Sequence, residues 1–511
     1  MRYEIPYQDT NGFSKLVLDY LNQDEGLKGF VNHFPEIENF EKQIEEKQKQ
    51  KINRPILVDV LKRQNIDFLL TSISRENINM LSLENTFTVT TGHQLCLFSG
   101  PLYVIYKIIS VINLCEKLRE KYPTNNFIPI FWMATEDHDF KEVNHIHLFG
   151  RKIEWDSNQN GPVGRMSLDK MESVISDLKL SLGTGKNACK LIRLFESAYL
   201  DHANLADATR YLLNEIFGKY GLLIIDGDEK DLKKEFIPQI KKDILSNGFF
   251  DAIKDSSNRL AKNYKVQAFF RNKNFFSLSD NKRELVDSSI SEEIIENKPE
   301  MFSPNVLLRC LYQESILPNI AYIGGGSELA YWMQLKNVFD EQNIVFPILI
   351  LRNSALLITQ KQHSSFDRLG FQLDDLFLSL DKLYKMYLLR SSESEISLEE
   401  EKKELHLIYQ KIISKVSDVS LQQSVQAQLQ KQFSYLQKIQ EKFIRIEKGR
   451  SKTTINQIEK IKRQLFPNNT LQERYNNLIP FYLENGDNFI KILKNNLDPL
   501  NPNFVVLTFK D

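Results

Sequence analysis

The sequence predicts an α/β protein in which a doubly wound parallel core is followed by a long antiparallel coiled-coil arm. Short, nearly unbroken apolar runs alternate with helical periods through the first two thirds of the chain, as strands covered on both faces do. No proline occurs between Pro347 and Pro467 and no glycine between Gly370 and Gly449, which predicts continuous helix there. The 511 residues also exceed what one hydrophobic core usually holds, so two or three domains are expected.

In chain order, the charge run at residues 42–51 (KQIEEKQKQK) reads as a solvated helix face. A strand at Thr86–Thr90 ends in a glycine-bearing elbow, after which Pro101 opens a long apolar helix. That order places unpaired backbone N–H groups and the positive end of a helix dipole at the carboxyl edge of a sheet, where anions bind well. Further strands are read at Phe127–Thr135 (FIPIFWMAT), Gly221–Asp226 (GLLIID), Ile320–Ile323 and Phe346–Leu351 (FPILIL). Residues 150–215 and 227–300 are more polar and less periodic, and are taken as insertions or a cap within a core spanning 1–370.

The arm, 371–466, carries apolar residues at steps of three and four: Leu376, Leu380, Leu383 and Tyr387, then Leu398, Leu405, Ile408 and Ile412, then Leu429, Phe433, Leu436, Ile439, Phe443 and Ile446. N-cap candidates between Ser417 and Ser420 divide it into a hairpin. Each half of roughly 40 residues would reach about 60 Å, and a second copy of the chain is the simplest partner for its seam. Residues 467–511 end in FVVLTF, a strand expected to return to the core.

Sixty-six basic residues against 67 acidic ones leave a net charge of −1, without a long basic tract, so neither nucleic acid nor an anionic membrane is an expected partner. A small-molecule substrate fits better. Cys96, Cys115, Cys189 and Cys310 form no CxxC pair and no disulfide framework, which suits a reducing cytosol. The start MRYEIPYQDT lacks a signal pattern and no apolar run reaches membrane-span length, so a soluble cytoplasmic protein is expected.

Chemistry concentrates in four places. Four of the eight histidines lie between positions 93 and 147, beside the run Thr135-Glu136-Asp137-His138-Asp139 at the carboxyl end of a strand. Three readings stay open there: a metal site from His138, Asp139, His145 and His147, a substrate clamp with acid/base function, or an ordinary polar loop. The spacing matches no standard zinc signature, and no metal is expected. In YIGGGSELAYWMQ, consecutive glycines permit close backbone approach to a ligand, Glu328 and Gln334 could offer polar ends, and Trp332 is either core or a stacking platform. Ser303-Pro304 reads as a helix cap and first helical residue, which would put Arg309 and Gln313 on one face, able to grip a carboxylate or simply exposed. Along the Pro101 helix, Tyr103, Lys107, Ser110 and Asn113 form a polar stripe that either meets an anion or faces water. The run GTGKN at 183–187 is not a P-loop, because Leu180 and Asn187 stand where glycine and Ser/Thr are required. Arg450-Ser451-Lys452 loosely resembles the lysine loop of class I aminoacyl-tRNA synthetases but falls in the arm.

Taken together, TGHQLCLFSGPLYVIYK, FIPIFWMATEDHDF with Asn144-His145, SPNVLLRCLYQE, LPNIAYIGGGSELAYW, PILILR ending in Arg352, and LFPNNTLQER resemble the BshC family, the cysteine-adding enzymes of bacillithiol biosynthesis. These motifs span nearly the whole chain in family order. The resemblance implies a Rossmann-like core related to nucleotidylyltransferases and class I synthetases, connecting-peptide insertions, and homodimerisation through the coiled coil. It implies ligation of cysteine to the amino group of glucosaminyl malate, giving bacillithiol.

The implied site draws on Gly92, His93, Gln94, Ser99, Gly100, Tyr103 and Lys107 in the first motif. Asn144 follows in the second, Arg309 and Gln313 in the third, Tyr322, Gly324, Gly325, Glu328, Trp332 and Gln334 in the fourth, and Arg352 in the fifth. Where family members more often carry TGQQPGLFTGP, this chain has His93, Leu95, Cys96 and Ser99; where they often carry GGPGE, it has Gly326 and Ser327.

A free carboxylate is a poor electrophile, so ATP is expected to activate the cysteine carboxylate before the amine attacks. Arg309, Lys107 or Arg352 would receive carboxylates, and one of Glu136, Asp137 and Asp139, or His138, would accept the amine proton. Two rivals remain at this stage: a silent ligand-binding module whose coiled coil recruits enzymes, and a metal-dependent hydrolase built on the Asp/His cluster.

Overall fold

Five strands form the central sheet: β1 (Thr86–His93), β2 (Asn126–Met133), β3 (Leu223–Asp226), β4 (Asn319–Gly324) and β5 (Ile348–Leu351). All pair in parallel, in the spatial order β3-β2-β1-β4-β5, which is the Rossmann order. The computed structural model describes residues 1–279, 282–286, 290–391 and 397–509.

The apolar runs are unbroken because both faces of the sheet are covered. Along β2, Ile128, Ile130 and Trp132 belong to one core while Phe131 and Met133 belong to another, the two-residue alternation of a pleated strand. Helices α1 (Leu102–Lys121) and α2 (Leu205–Phe217) pack with the second core, whereas α3 (Leu308–Ile316) and α4 (Gly326–Met333) pack with the first. The helices leaving β1 and β4 therefore turn to opposite faces. Between two adjacent parallel strands this leaves a crevice at their carboxyl ends.

Several local expectations change. The run at 42–51 lies on helix Asn39–Lys49, but Phe40, Gln43, Ile44 and Lys47 are buried, so it is an amphipathic core helix rather than a solvated face. The polar insertions are largely helical: Met171–Leu182 and Lys186–Leu200 in the first, Ile237–Ser246 and Phe250–Ala261 in the second, each burying one apolar stripe. The GTGKN run is the turn between the first pair. Ser303-Pro304 does not cap a helix; it belongs to strand Phe302–Pro304, and the Asn305 carboxamide accepts from the Leu307 and Leu308 amides instead.

FVVLTF returns, but to a second sheet. Strand Asn503–Phe509 runs antiparallel to Arg2–Pro6 and parallel to Ala355–Thr359, so both chain ends are tied beside the core. The polar stripe of α1 joins the two parts rather than facing water: Ser110 bonds Asn353, and Asn113 donates to the carbonyls of Lys494 and Leu497.

In the arm, Glu399–Ile413 packs against Val419–Arg450, and Leu380–Ser391 packs against Lys452–Leu465. The Asp418 carboxylate accepts from the Leu421 amide at the hairpin turn, as the capping pattern predicts. The 32-residue helix Val419–Arg450 extends about 48 Å at 1.5 Å per residue. Ile408, Ile412, Ile439, Phe443 and Ile446 remain exposed on this hairpin.

Candidate functional site

A cleft of about 540 Å³ opens at the switch point between β1 and β4. Gly92 and His93 reach it from β1, Glu136 and Asp137 from the loop after β2, and Gly325 and Glu328 from the start of α4. Arg309 enters from α3, Arg352 from the end of β5, Arg283 from the hairpin Phe275–Ser279/Lys282–Leu285, and Arg474 from the segment after the arm.

The N-terminus of α1 is not the open anion seat that the strand–elbow–helix order suggested. The Leu102 amide at the start of α1 donates to the Asn476 carbonyl at 2.8 Å, and Pro101 bridges Asn477. At α4 the Gly325 amide donates to Glu328 Oε2 at 2.6 Å. The elbow is instead a packing device: Phe98, Ser99 and Gly100 all have positive φ, and a Cβ on Gly100 would stand 2.8 Å from that of Cys96. Ser99 is buried there and does not line the cleft.

Cations dominate the β4/β5 side, and two of them are already paired. Lys107, 2% exposed, donates to the Gly92 carbonyl at 2.9 Å and meets Glu328 Oε2 at 2.5 Å, while the Tyr322 hydroxyl holds Oε1 at 2.9 Å. Burial lowers the Lys107 pKa against the pull of Glu328; burial raises Glu328, but Lys107 outweighs it and holds the carboxyl below its ordinary value. Arg352 is locked to Glu473 at 2.6 Å and donates to Ser354 and the Asn353 carbonyl. His93 donates to or accepts from Tyr103 at 3.2 Å, and burial, reinforced by Lys107, lowers its pKa to about 3, so the ring is neutral at physiological pH.

Arg309 differs, for its guanidinium meets only uncharged groups: Gln313 Oε1 at 3.1 Å, Tyr331 OH at 3.4 Å and Cys310 Sγ at 3.6 Å. Behind it a buried chain runs from Gln313 to Glu314 at 2.9 Å and on to Lys47 at 3.4 Å, and Glu314 also accepts from Asn319 of β4. Gln313 is therefore a strut for Arg309 and not a second jaw.

On the β2 side, Gln94 donates to Asp137 Oδ2 at 2.7 Å and the His138 amide to Oδ1 at 2.8 Å. Lys233, buried, binds Glu136 at 2.6 Å. The loop backbone is fixed by the amides of Val163 and Gly164, which donate to the carbonyls of Asp137 and Thr135; a Cβ on Gly164 would fall 2.5 Å from Thr135 Cβ. This leaves two carboxylates in the cleft wall; His138 is exposed and does not line the cleft, its Nδ1 lying 3.2 Å from Arg283, which does.

The cleft thus gathers Gly92, His93, Gln94, Tyr103, Lys107, Glu136, Asp137, Arg309, Tyr322, Gly325, Glu328 and Arg352 of the sequence-derived set. Gly100 and Gly324 shape the approaches without lining it. Asp139 is exposed outside it, at the start of the short helix Phe140–Val143. Asn144 is buried and fastens the hairpin His145–Leu148/Arg151–Glu154, bonding Glu154 and the Trp155 carbonyl. Trp332 is fully buried core, 4.6 Å from the Tyr322 ring, not a stacking platform. Gln334 faces away, bonding Ser257 and both backbone groups of Ala268.

Sequence reasoning missed Arg283, Tyr331, Lys233 and Arg474. Two of them carried a signal: Arg474 as the last residue of LFPNNTLQER and Tyr331 within YIGGGSELAYWMQ. Among the described residues no three His, Cys, Asp or Glu side chains gather as a metal ion would require, so the Asp/His cluster of the rival hydrolase reading does not assemble.

Fold and site together define a Rossmann-type protein with a mixed-charge small-molecule cleft at its switch point and a coiled-coil domain that reaches back into that cleft. Residues 1–353 match the profile described as "Bacillithiol biosynthesis BshC, N-terminal Rossmann-like domain", and residues 355–509 match the BshC "C-terminal coiled-coil domain". The chain belongs to the BshC family. It is 44% identical to a protein of Flavobacterium johnsoniae, over 99% of both chains, and 42% identical to one of Christiangramia forsetii, over 99% of this chain and 98% of that one. A Staphylococcus saprophyticus protein is 30% identical over 82% of this chain and 84% of its own; all three bear the name "Putative cysteine ligase BshC".

Proposed function

We propose that this cleft joins cysteine to the amino group of glucosaminyl malate, forming the amide of bacillithiol. Family membership over the whole chain supports the reading, as do the names of the relatives. The observation that carries it is the division of charge within one cleft: Asp137, beside the Lys233-bound Glu136, follows β2, while Arg309, which meets no carboxylate, arrives from the β4 side. A substrate that bears both an amine and carboxylates matches that division.

ATP would supply the activation, placing a phosphoryl or adenylyl group on the cysteine carboxylate oxygen with release of ADP or diphosphate. The glucosaminyl amine then attacks the acyl carbon, the C–N bond forms, and the acyl C–O bond breaks, its oxygen leaving on phosphate or AMP. The amine proton passes to Asp137, which Gln94 and the His138 amide orient, with the exposed His138 ring outside the cleft as the relay to water. Water exclusion by the buried walls protects the activated acyl group from hydrolysis. The protein acts in the cytoplasm as a homodimer, the exposed apolar side chains of the arm packing on a second copy.

The test is to incubate purified protein with cysteine, glucosaminyl malate and ATP and to resolve the product by mass. Bacillithiol is expected, with Asp137→Ala slowing its formation by about 10²–10⁴-fold. Absence of product sinks the assignment, and an undiminished rate in both Asp137→Ala and His138→Ala removes the acid/base roles.

A further inference from the structure

The motif LFPNNTLQER lies outside the Rossmann-type domain, yet its last residue lines the cleft. Its neighbours are all engaged. Gln472 bonds both backbone groups of Leu357 at 2.9 Å, mimicking a paired strand. Glu473, fully buried, accepts from Ser354, from the Ala355 amide and from Arg352. Tyr475 stacks on His147 at 4.5 Å, the Asn476 carbonyl caps α1, and Asn477 donates to the His147 carbonyl.

Six consecutive residues are thus rigidly seated, and one of them, Arg474, presents an exposed guanidinium to the cleft with no hydrogen-bonded or ion-paired partner among the described residues. Lys107 and Arg352 are neutralised by Glu328 and Glu473. The cations left for a ligand anion on this side are Arg309, held by neutral groups only, and Arg474.

We propose that Arg474, from the C-terminal domain, completes the substrate site by binding a carboxylate of the malyl group, with Arg309 taking the other. This rests on the proposed function and narrows it: Lys107 and Arg352 set the shape and potential of the wall, and the N-terminal domain alone holds half of the dicarboxylate site. A guanidinium on a backbone fixed by buried Gln472 and Glu473 loses little freedom on binding, so its hydrogen bonds contribute most of their strength.

The test titrates the full-length wild type, Arg474→Ala, Arg474→Lys and Arg309→Ala with L-malate by calorimetry, alongside thermal melting and ligation kinetics. We expect Arg474→Ala to weaken malate binding by about tenfold to a hundredfold, the loss of a charge-assisted hydrogen bond pair, with Arg474→Lys recovering part of it. KM for glucosaminyl malate should rise by a similar factor with kcat little changed, and Tm should stay at the wild-type value because the side chain supports nothing. Malate affinity equal to wild type in Arg474→Ala, or no malate binding by the wild type at millimolar concentration, overturns the proposal. Weakened malate binding in a protein that makes no bacillithiol supports the dicarboxylate site and sinks the ligase reading alone.

Discussion

Replacing Lys107 by Met tests whether the cleft wall is held by a buried ion pair. The Lys107 side chain is 2% exposed and Glu328 20%, and Glu328 keeps the Tyr322 hydroxyl and the Gly325 amide when the ammonium is removed. Deleting one partner of a fully buried pair costs roughly 3–5 kcal/mol; the partial exposure of Glu328 and its two remaining hydrogen bonds reduce the expectation to about 2–4 kcal/mol. The double variant Lys107→Met/Glu328→Gln removes both charges and should regain at least half of that loss. Urea unfolding followed by tryptophan fluorescence suits the purpose, since Trp332 packs against Tyr322 directly behind the pair. A loss below about 0.5 kcal/mol in the single variant, or a double variant no more stable than Lys107→Met, would refute the coupling.

His93 has a folded pKa of about 3, below the ordinary value, so the native state refuses a proton that the unfolded chain accepts. Its contribution to stability is complete above about pH 6.5 and is lost as pH falls toward 3; at pH 4 the difference amounts to at most about 3 kcal/mol. His93→Gln should therefore lose less stability than wild type between pH 6.5 and 4, and parallel pH profiles would contradict this. In the arm, Ile439→Asp/Phe443→Asp should shift the sedimenting species from dimer to monomer with unchanged helical circular dichroism; an unchanged mass would show that the apolar stripe is not the contact.

The sheet was legible because its chemistry is local: each strand is a short apolar run, and burial on both faces erases the polar alternation that would have blurred it. The hairpin turn was legible from one capping carboxylate, Asp418. The insertions misled because polar composition hides an amphipathic stripe, as at Leu178, Leu191 and Phe195. The charge run at 42–51 misled because Lys47 finds its carboxylate, Glu314, far along the chain. Pairing at such distance is also why Lys107 and Arg352 looked available to a ligand: neither Glu328 nor Glu473 announces its partner in sequence. Arg283 has no pattern around it at all, and Arg474 sits in a motif whose other residues are structural.

The most direct measurement is a crystal structure of the full-length protein with glucosaminyl malate bound. Density is expected in the switch-point cleft, with the malyl carboxylates on Arg309 and Arg474 and the amine beside Asp137. Density on any other surface, or a molecule reversed so that its carboxylates meet Glu136 and Asp137, would contradict this placement.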